Sequence, residues 1–206
     1  RDPEMSRGLG DVYKRQMDTY TAEVGQQTLR SYIPKQLLLV GSASYNDDGS
    51  TTEGTAEGGR QIVLYSVNDF NFELEQIQSY AHVMHHEFAH ILHQNVEYDA
   101  EFEKITPSYS SSWMQMNDET ARSKGFITAY AFSSADEDFA EMVSIMLTNS
   151  PEDWDNMIEN AGNAAAVEAL RKKEAIVVAY MKNNWGVNMK DFQKEVVAAI
   201  EAAVRN

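Results

Sequence analysis

Two short apolar runs, residues 35–40 around Leu37, Leu38 and Leu39 and residues 61–67 around Ile62, Val63 and Leu64, are bounded by turn-forming residues and read as strands. The polar stretches between them, 46–54 and 57–59, carry neither strand nor helix periodicity and predict a flexible loop. From about Phe72 the spacing changes. Ile77, Tyr80, Val83, Met84, Phe88, Ile91 and Leu92 recur three and four apart, which predicts a buried helix over 72–95. A loop through Pro107 follows. A second helix then runs to about Thr148, with Phe139, Met142, Val143 and Met146 at helical spacing, Ser133 or Ser134 as N-cap and acidic residues in the first turn. Two more helices close the pattern. One, over 164–183, carries Leu170, Ile176, Val177 and Tyr180; the other starts at Met189 behind Asn188 as cap and carries Phe192, Val196, Val197 and Ile200. Strands first and helices after is the order of an α+β fold, with a small sheet packed on the first long helix and a mainly helical C-terminal half.

Composition narrows this picture. At 43% hydrophobic residues and without internal repeats, the chain has enough apolar matter for one domain, expected over 17–206. Residues 1–16 have no periodicity and resemble translated sequencing-adapter sequence, so they are expected to be non-native, with the natural N-terminus lying further upstream. No apolar run approaches the ~20 residues that span a bilayer. With 32 acidic against 17 basic residues, the surface repels phosphate backbones, which argues against a nucleic-acid partner. The acids are spread along the chain and form a solvated surface, one that would still favour cationic peptides. Cysteine is absent, so disulfides are excluded. Asp47-Asp48-Gly49 mimics the start of a calcium loop, but the later ligand positions are missing and it reads as plain loop.

The chemistry is concentrated in one helix. All five histidines, His82, His85, His86, His90 and His93, fall on it, and His86-Glu87-Phe88-Ala89-His90 is an H-E-x-x-H motif. Residues four apart stand on one helix face, so His86 and His90 can aim ring nitrogens at one metal ion with Glu87 beside it. Zinc, Zn2+, takes imidazole and carboxylate ligands and lowers the pKa of water towards ~7, and a neighbouring carboxylate can accept the proton. Buried histidines need partners, and a metal is an economical one. His93, seven residues from His86, lies about 10 Å along the axis and suits a supporting or cleft position better than a shared ion. His82 and His85 read as partly exposed helix residues.

Two histidines leave a place for a third protein ligand. Glu137 and Glu141, four apart on the later helix, share a face, and one can ligate while the other accepts a hydrogen bond from the far nitrogen of a ligand histidine. Tyr130, before that helix, is a candidate donor to a developing oxyanion.

The stretch from His85 to Gln94, with 125–131 (Gly125 to Ala131) and 136–141 (Asp136 to Glu141), resembles the zinc-binding metallopeptidases known as substrate-import-associated zinc metallohydrolase lipoproteins. More distantly it is similar to gluzincins of the lethal-factor type. The resemblance implies a zincin-like fold, Zn2+ held by His86, His90 and Glu137, Glu141 as supporting carboxylate and Tyr130 as the phenol. Thermolysin-type gluzincins usually carry Asp where Glu141 stands, so the third ligand is open among Glu137, Asp138 and Glu141. The activity implied is endopeptidase action on a peptide or protein substrate, with Glu87 as general base. A non-catalytic, metal-bearing binder of peptides or glycans in an outer-membrane nutrient-import complex is the alternative. Localisation as a periplasmic protein or outer-membrane lipoprotein follows from the resemblance alone.

Overall fold

The protein is represented by a computed structural model that describes residues 32–47, 49–57, 61–71 and 73–204. The 1–16 segment, Asp48, residues 58–60 and the expected helix start at Phe72 lie outside these.

Among the described residues five strands come first: β1 (Gln36–Leu39), β2 (Ser44–Tyr45), β3 (Thr51–Thr52), β4 (Gly54–Glu57) and β5 (Gln61–Leu64). β5 is central, parallel to β1 and antiparallel to β4, with Leu38 opposite Val63 and Ala56 opposite Ile62. As the middle strand it buries Ile62, Val63 and Leu64 in succession, which is why its sequence is a continuous apolar run rather than an alternation. The strand expected to reach Val67 stops at Leu64, and Val67 is buried in a 3-10 turn instead.

The expected flexible loop between the first two strands is a correction. It holds the β2–β3 hairpin and β4. The hairpin is closed by Asn46, whose side chain donates to Ser50 Oγ at 2.9 Å and accepts from Thr52 Oγ1 at 3.2 Å, while its carbonyl takes the Gly49 amide. Two- and four-residue strands are too short to display a period, and here the pairing of β2 with β3 and of β4 with β5 overrides the polar composition.

Seven α-helices follow among the described residues: α1 (Leu74–Asn95), α2 (Glu101–Ile105), α3 (Asp118–Arg122), α4 (Ala135–Thr148), α5 (Pro151–Glu159), α6 (Ala164–Trp185) and α7 (Met189–Val204). α1 lies between the sheet, which it meets through β4 and β5, and the helices α4 and α7. It is therefore apolar around much of its girth: Ile77, Ala81, Met84, Phe88, Ile91 and Leu92 are all essentially solvent-free. Gln78 ties it to the far end of α4 by donating to Thr148 O at 2.8 Å. Of the two expected caps for α4, Ser134 is the one used, accepting from Glu137 N at 3.3 Å.

α2, α3 and α5 were not expected. α5 begins with Ser150 as N-cap, Pro151 in the first turn, and Glu152 and Asp153 after it, a start signal in plain view. Only Trp154 and Ile158 of its nine residues are buried, too few for a periodic stripe to register.

Candidate metal centre

The i, i+4 spacing on α1 brings His86 Nε2 within 3.0 Å of His90 Nε2, and Glu137 Oε2, from the first turn of α4, sits 2.9 Å from the former and 3.1 Å from the latter. Three donor atoms from two helices thus converge on one point. Burial opposes ionisation of His86, yet hydrogen bonds to Glu137 and Glu141 push it up to about 10; burial likewise pushes Glu137 up, and the same histidines outweigh it and hold the carboxyl down to about 2. Two ring nitrogens facing one another beside a carboxylate ask for a shared positive charge. A divalent cation fits that donor set, so His86, His90 and Glu137 could hold a metal ion.

What surrounds these groups fixes their far sides. Glu141 is fully buried. Its Oε1 accepts from His86 Nδ1 at 2.7 Å and from His82 Nε2 at 2.8 Å, and its Oε2 accepts from Thr128 Oγ1 at 2.6 Å. Burial alone would raise its pKa, but the charge and hydrogen bonds of His82, then of His86, hold it well below the usual carboxylate range. His90 Nδ1 meets His93 Nε2 at 2.8 Å, and His93 Nδ1 faces Asp136 at 4.0 Å, so His93 supports His90 from behind. His82, His86 and Glu141 form a second donor group. The two groups share His86, whose neutral ring offers one lone pair. If Nε2 serves a metal, Nδ1 keeps its proton for Glu141, and the second group becomes the frame of the first.

Of the three open candidates for a third ligand, Glu137 alone reaches both histidines. Asp138 points away into the core, where its Oδ2 is bound by Lys173 Nζ and by the Tyr109 hydroxyl at 3.0 Å. The expectation for His85 needs correcting: it has no exposed surface, packs edge-on to Phe192, and is pushed down to about 3 by burial and then by His82. α7 covers that side of α1, and no pattern in α1 itself could reveal it. His82 is partly exposed as expected, but its tie to Glu141 was not foreseen. The i−4 spacing from His86 was the available signal. Thr128 carried none.

The donors lie in a groove. A cavity of about 550 Å³ on the His82 side, bounded by Asn46, Thr52, Glu53 and Trp113, adjoins one of about 440 Å³ on the His93 side. Both share Gly54, His86, Glu87, Tyr130 and Glu137. Glu87 is 8% exposed. Burial lifts its pKa above the usual carboxylate value, while His86, His90 and a hydrogen bond from the Ala56 amide pull the other way. Tyr130, 38% exposed at the start of a 3-10 turn, leans on Trp113 with ring centroids 5.0 Å apart; its pKa is raised, by burial first and then by the charge of Glu137.

Gly54 makes this arrangement possible. A Cβ there would stand 2.4 Å from Val83 Cγ1 and 3.4 Å from Glu87 Cγ, so only glycine lets β4 lie this close to α1. Gly54→Ala is expected to lower stability by about 1–3 kcal/mol and to move the Ala56 amide off Glu87. A thermal melt at wild-type Tm would show that β4 is not held against the helix.

The model of the family described as "Putative zinc-binding metallo-peptidase" matches residues 9–190. A crystal structure from Bacteroides caccae carrying the same description superposes on this fold with a TM-score of 0.81, at 33% identity, over 97% of this chain and 77% of that one. No curated protein sequence matches significantly.

Proposed function

Because the chain belongs to this family of zinc-binding metallopeptidases, we propose that it is a zinc-dependent endopeptidase of the H-E-x-x-H type, in which His86, His90 and Glu137 hold the ion. The observation that carries this reading is the convergence of those three donors on the floor of a groove whose adjoining wall is Glu87. Bound zinc supplies Lewis acidity and lowers the pKa of water towards ~7. Glu87 takes a proton from the attacking water and returns it to the leaving amine, a role that suits a carboxylate lifted by burial. Tyr130, which lines the groove, would donate its hydroxyl to the oxyanion. β4 forms one side of the groove and one edge of the sheet, so an extended peptide can pair with its backbone by strand addition. The enclosed position of Glu87 favours a base over a passive metal-bearing binder.

The test is zinc per chain by elemental analysis in wild type and Glu137→Ala, followed by a chelator challenge of cleavage in a mixed peptide library. Near-stoichiometric zinc that falls sharply in the variant, with cleavage abolished by chelation, supports the proposal. Undiminished zinc in the variant refutes Glu137 as ligand; stoichiometric zinc without cleavage favours the binder of peptides or glycans. The proposal extends to the cell envelope. A lipid anchor and association with an outer-membrane nutrient-import complex rest on the motif resemblance, and fractionation of the protein in its native cell tests them.

A further inference from the structure

We infer that His82 is a positioning residue for the metal centre: donating from Nε2 to Glu141 Oε1, it holds that carboxylate against His86 Nδ1 and so fixes the ring that carries one of the proposed ligand atoms. The inference rests on His86, His90 and Glu137 being the ligand set.

Glu141 projects from α4 one turn beyond Glu137. A glutamate has three rotatable bonds, and a single hydrogen bond to His86 would leave its carboxylate free to pivot about that contact. The structure gives it three donors from two directions: Thr128 Oγ1 at 2.6 Å on one oxygen, and two imidazoles at 2.7 and 2.8 Å on the other. Helical geometry makes the pair of imidazoles possible. His82 and His86 are one turn apart on α1, their rings cross at 80° with centroids 6.0 Å apart, and both nitrogens reach one oxygen. With both Oε1 contacts in place, the carboxylate can neither swing along the helix nor turn its face away from His86. The His86 ring is then gripped at Nδ1, leaving its Nε2 directed at the point shared with His90 and Glu137.

A second metal ion at His82, His86 and Glu141 is the competing use of the same atoms. It requires His86 to offer lone pairs from both nitrogens, which strips the ring of its remaining proton. The carboxylate already accepts that proton at 2.7 Å, so the hydrogen-bonded frame is the less costly arrangement. His82 also walls the 550 Å³ cavity with its side chain 27% exposed, so the frame is in contact with the space a substrate would fill.

The experiment uses the full chain with His82→Phe, His82→Gln and His82→Asn. Zinc dissociation constants come from competition with a chromogenic chelator, the visible spectrum of the cobalt-substituted protein reports ligand geometry, and thermal melts report folding. Substitutions of groups behind a ligand histidine typically weaken metal binding 10–100-fold, and His82, one step further back, is expected near the lower end, about tenfold, in the Phe variant. Gln places an amide N–H near the position of imidazole Nε2 and is expected to recover most of that loss. Asn places its N–H near Nδ1 and is not. The cobalt spectrum shifts in Phe and Asn and returns towards wild type in Gln. Equal weakening in all three variants, or none in any, overturns the inference while leaving the ligand set standing. Two zinc ions per wild-type chain falling to one in His82→Phe overturns it in favour of the second site. A folded wild type that takes no zinc overturns the ligand set and this inference together. Should the Phe variant lose its melting transition, the contrast between Gln and Asn decides the matter.

Discussion

Glu87→Gln is expected to retain zinc and to lose between about 10² and 10⁴ of its turnover, the range that a positioned general base contributes. Glutamine has nearly the same shape and its carbonyl oxygen can still accept the Ala56 amide, so β4 should remain seated on α1. The three converging donors come from His86, His90 and Glu137, so the proposed ion would keep its ligands. What disappears is an enclosed carboxylate of the groove wall, whereas Glu137 and Glu141 are engaged by histidines. Elemental analysis together with kcat on a peptide from the library screen separates the outcomes. Unchanged kcat removes Glu87 from the mechanism, and lost zinc makes it part of the donor set.

The second large effect is on stability. Lys173 has no exposed surface, and its ammonium donates to Asp138 Oδ2 and to Gly125 O, the latter at 2.7 Å, while lying 4.1 Å from the centre of the Phe126 ring. Burial pushes Asp138 up to about 6 despite Lys173 and Tyr109, and pushes Lys173 below its ordinary value despite Asp138. The pair itself therefore adds little, but breaking it strands a buried carboxylate. Lys173→Met is expected to cost about 3–5 kcal/mol, and Lys173→Met with Asp138→Leu much less. In a chain of this size that single change lowers Tm by roughly 6–20 °C. The sign with pH follows from linkage. A carboxyl whose folded pKa lies above its unfolded value favours folding most below the unfolded value, and that contribution is lost as pH rises through the folded one. The deficit of the variant should therefore be small below about pH 6 and grow as pH rises above it, because the Asp138 carboxyl that has lost Lys173 resists ionisation to a higher pH than in the wild type. An equal deficit at both ends would mean that lost packing, not the stranded charge, is responsible. The site depends on this pair indirectly, because Lys173 joins the start of α4 to the segment that carries Thr128 and Tyr130.

How much of this was legible beforehand depended on length and periodicity. α1, α4, α6 and α7 each bury a stripe over several turns and announce themselves through residues such as Ile77, Met84, Phe88 and Ile91. The four-residue spacing of His86 to His90 and of Glu137 to Glu141 is a helical property, so the pairs could be drawn before the fold was seen. β4 could not, because its four residues owe their strand to β5 and to the space Gly54 leaves. Nor could the fate of Asp138. Glu137 and Asp138 are adjacent acids in the same first turn, and only the placement of Lys173 from α6 draws one into the core while the other faces the groove. The burial of His85 depends in the same way on α7.

The proposed centre also joins two distant parts of the chain. His90 and Glu137 are 47 residues apart, and the sequence has no cysteine with which to tie such a loop. An ion gripping both would act on the unfolded ensemble as a cross-link does. Closing a loop of that length removes chain entropy equivalent to about 4 kcal/mol at 25 °C. On this account the proposed ion would also act as a staple in a chain that has no cysteine, and the long passage from α1 to α4 is the part of the molecule that its loss would set loose.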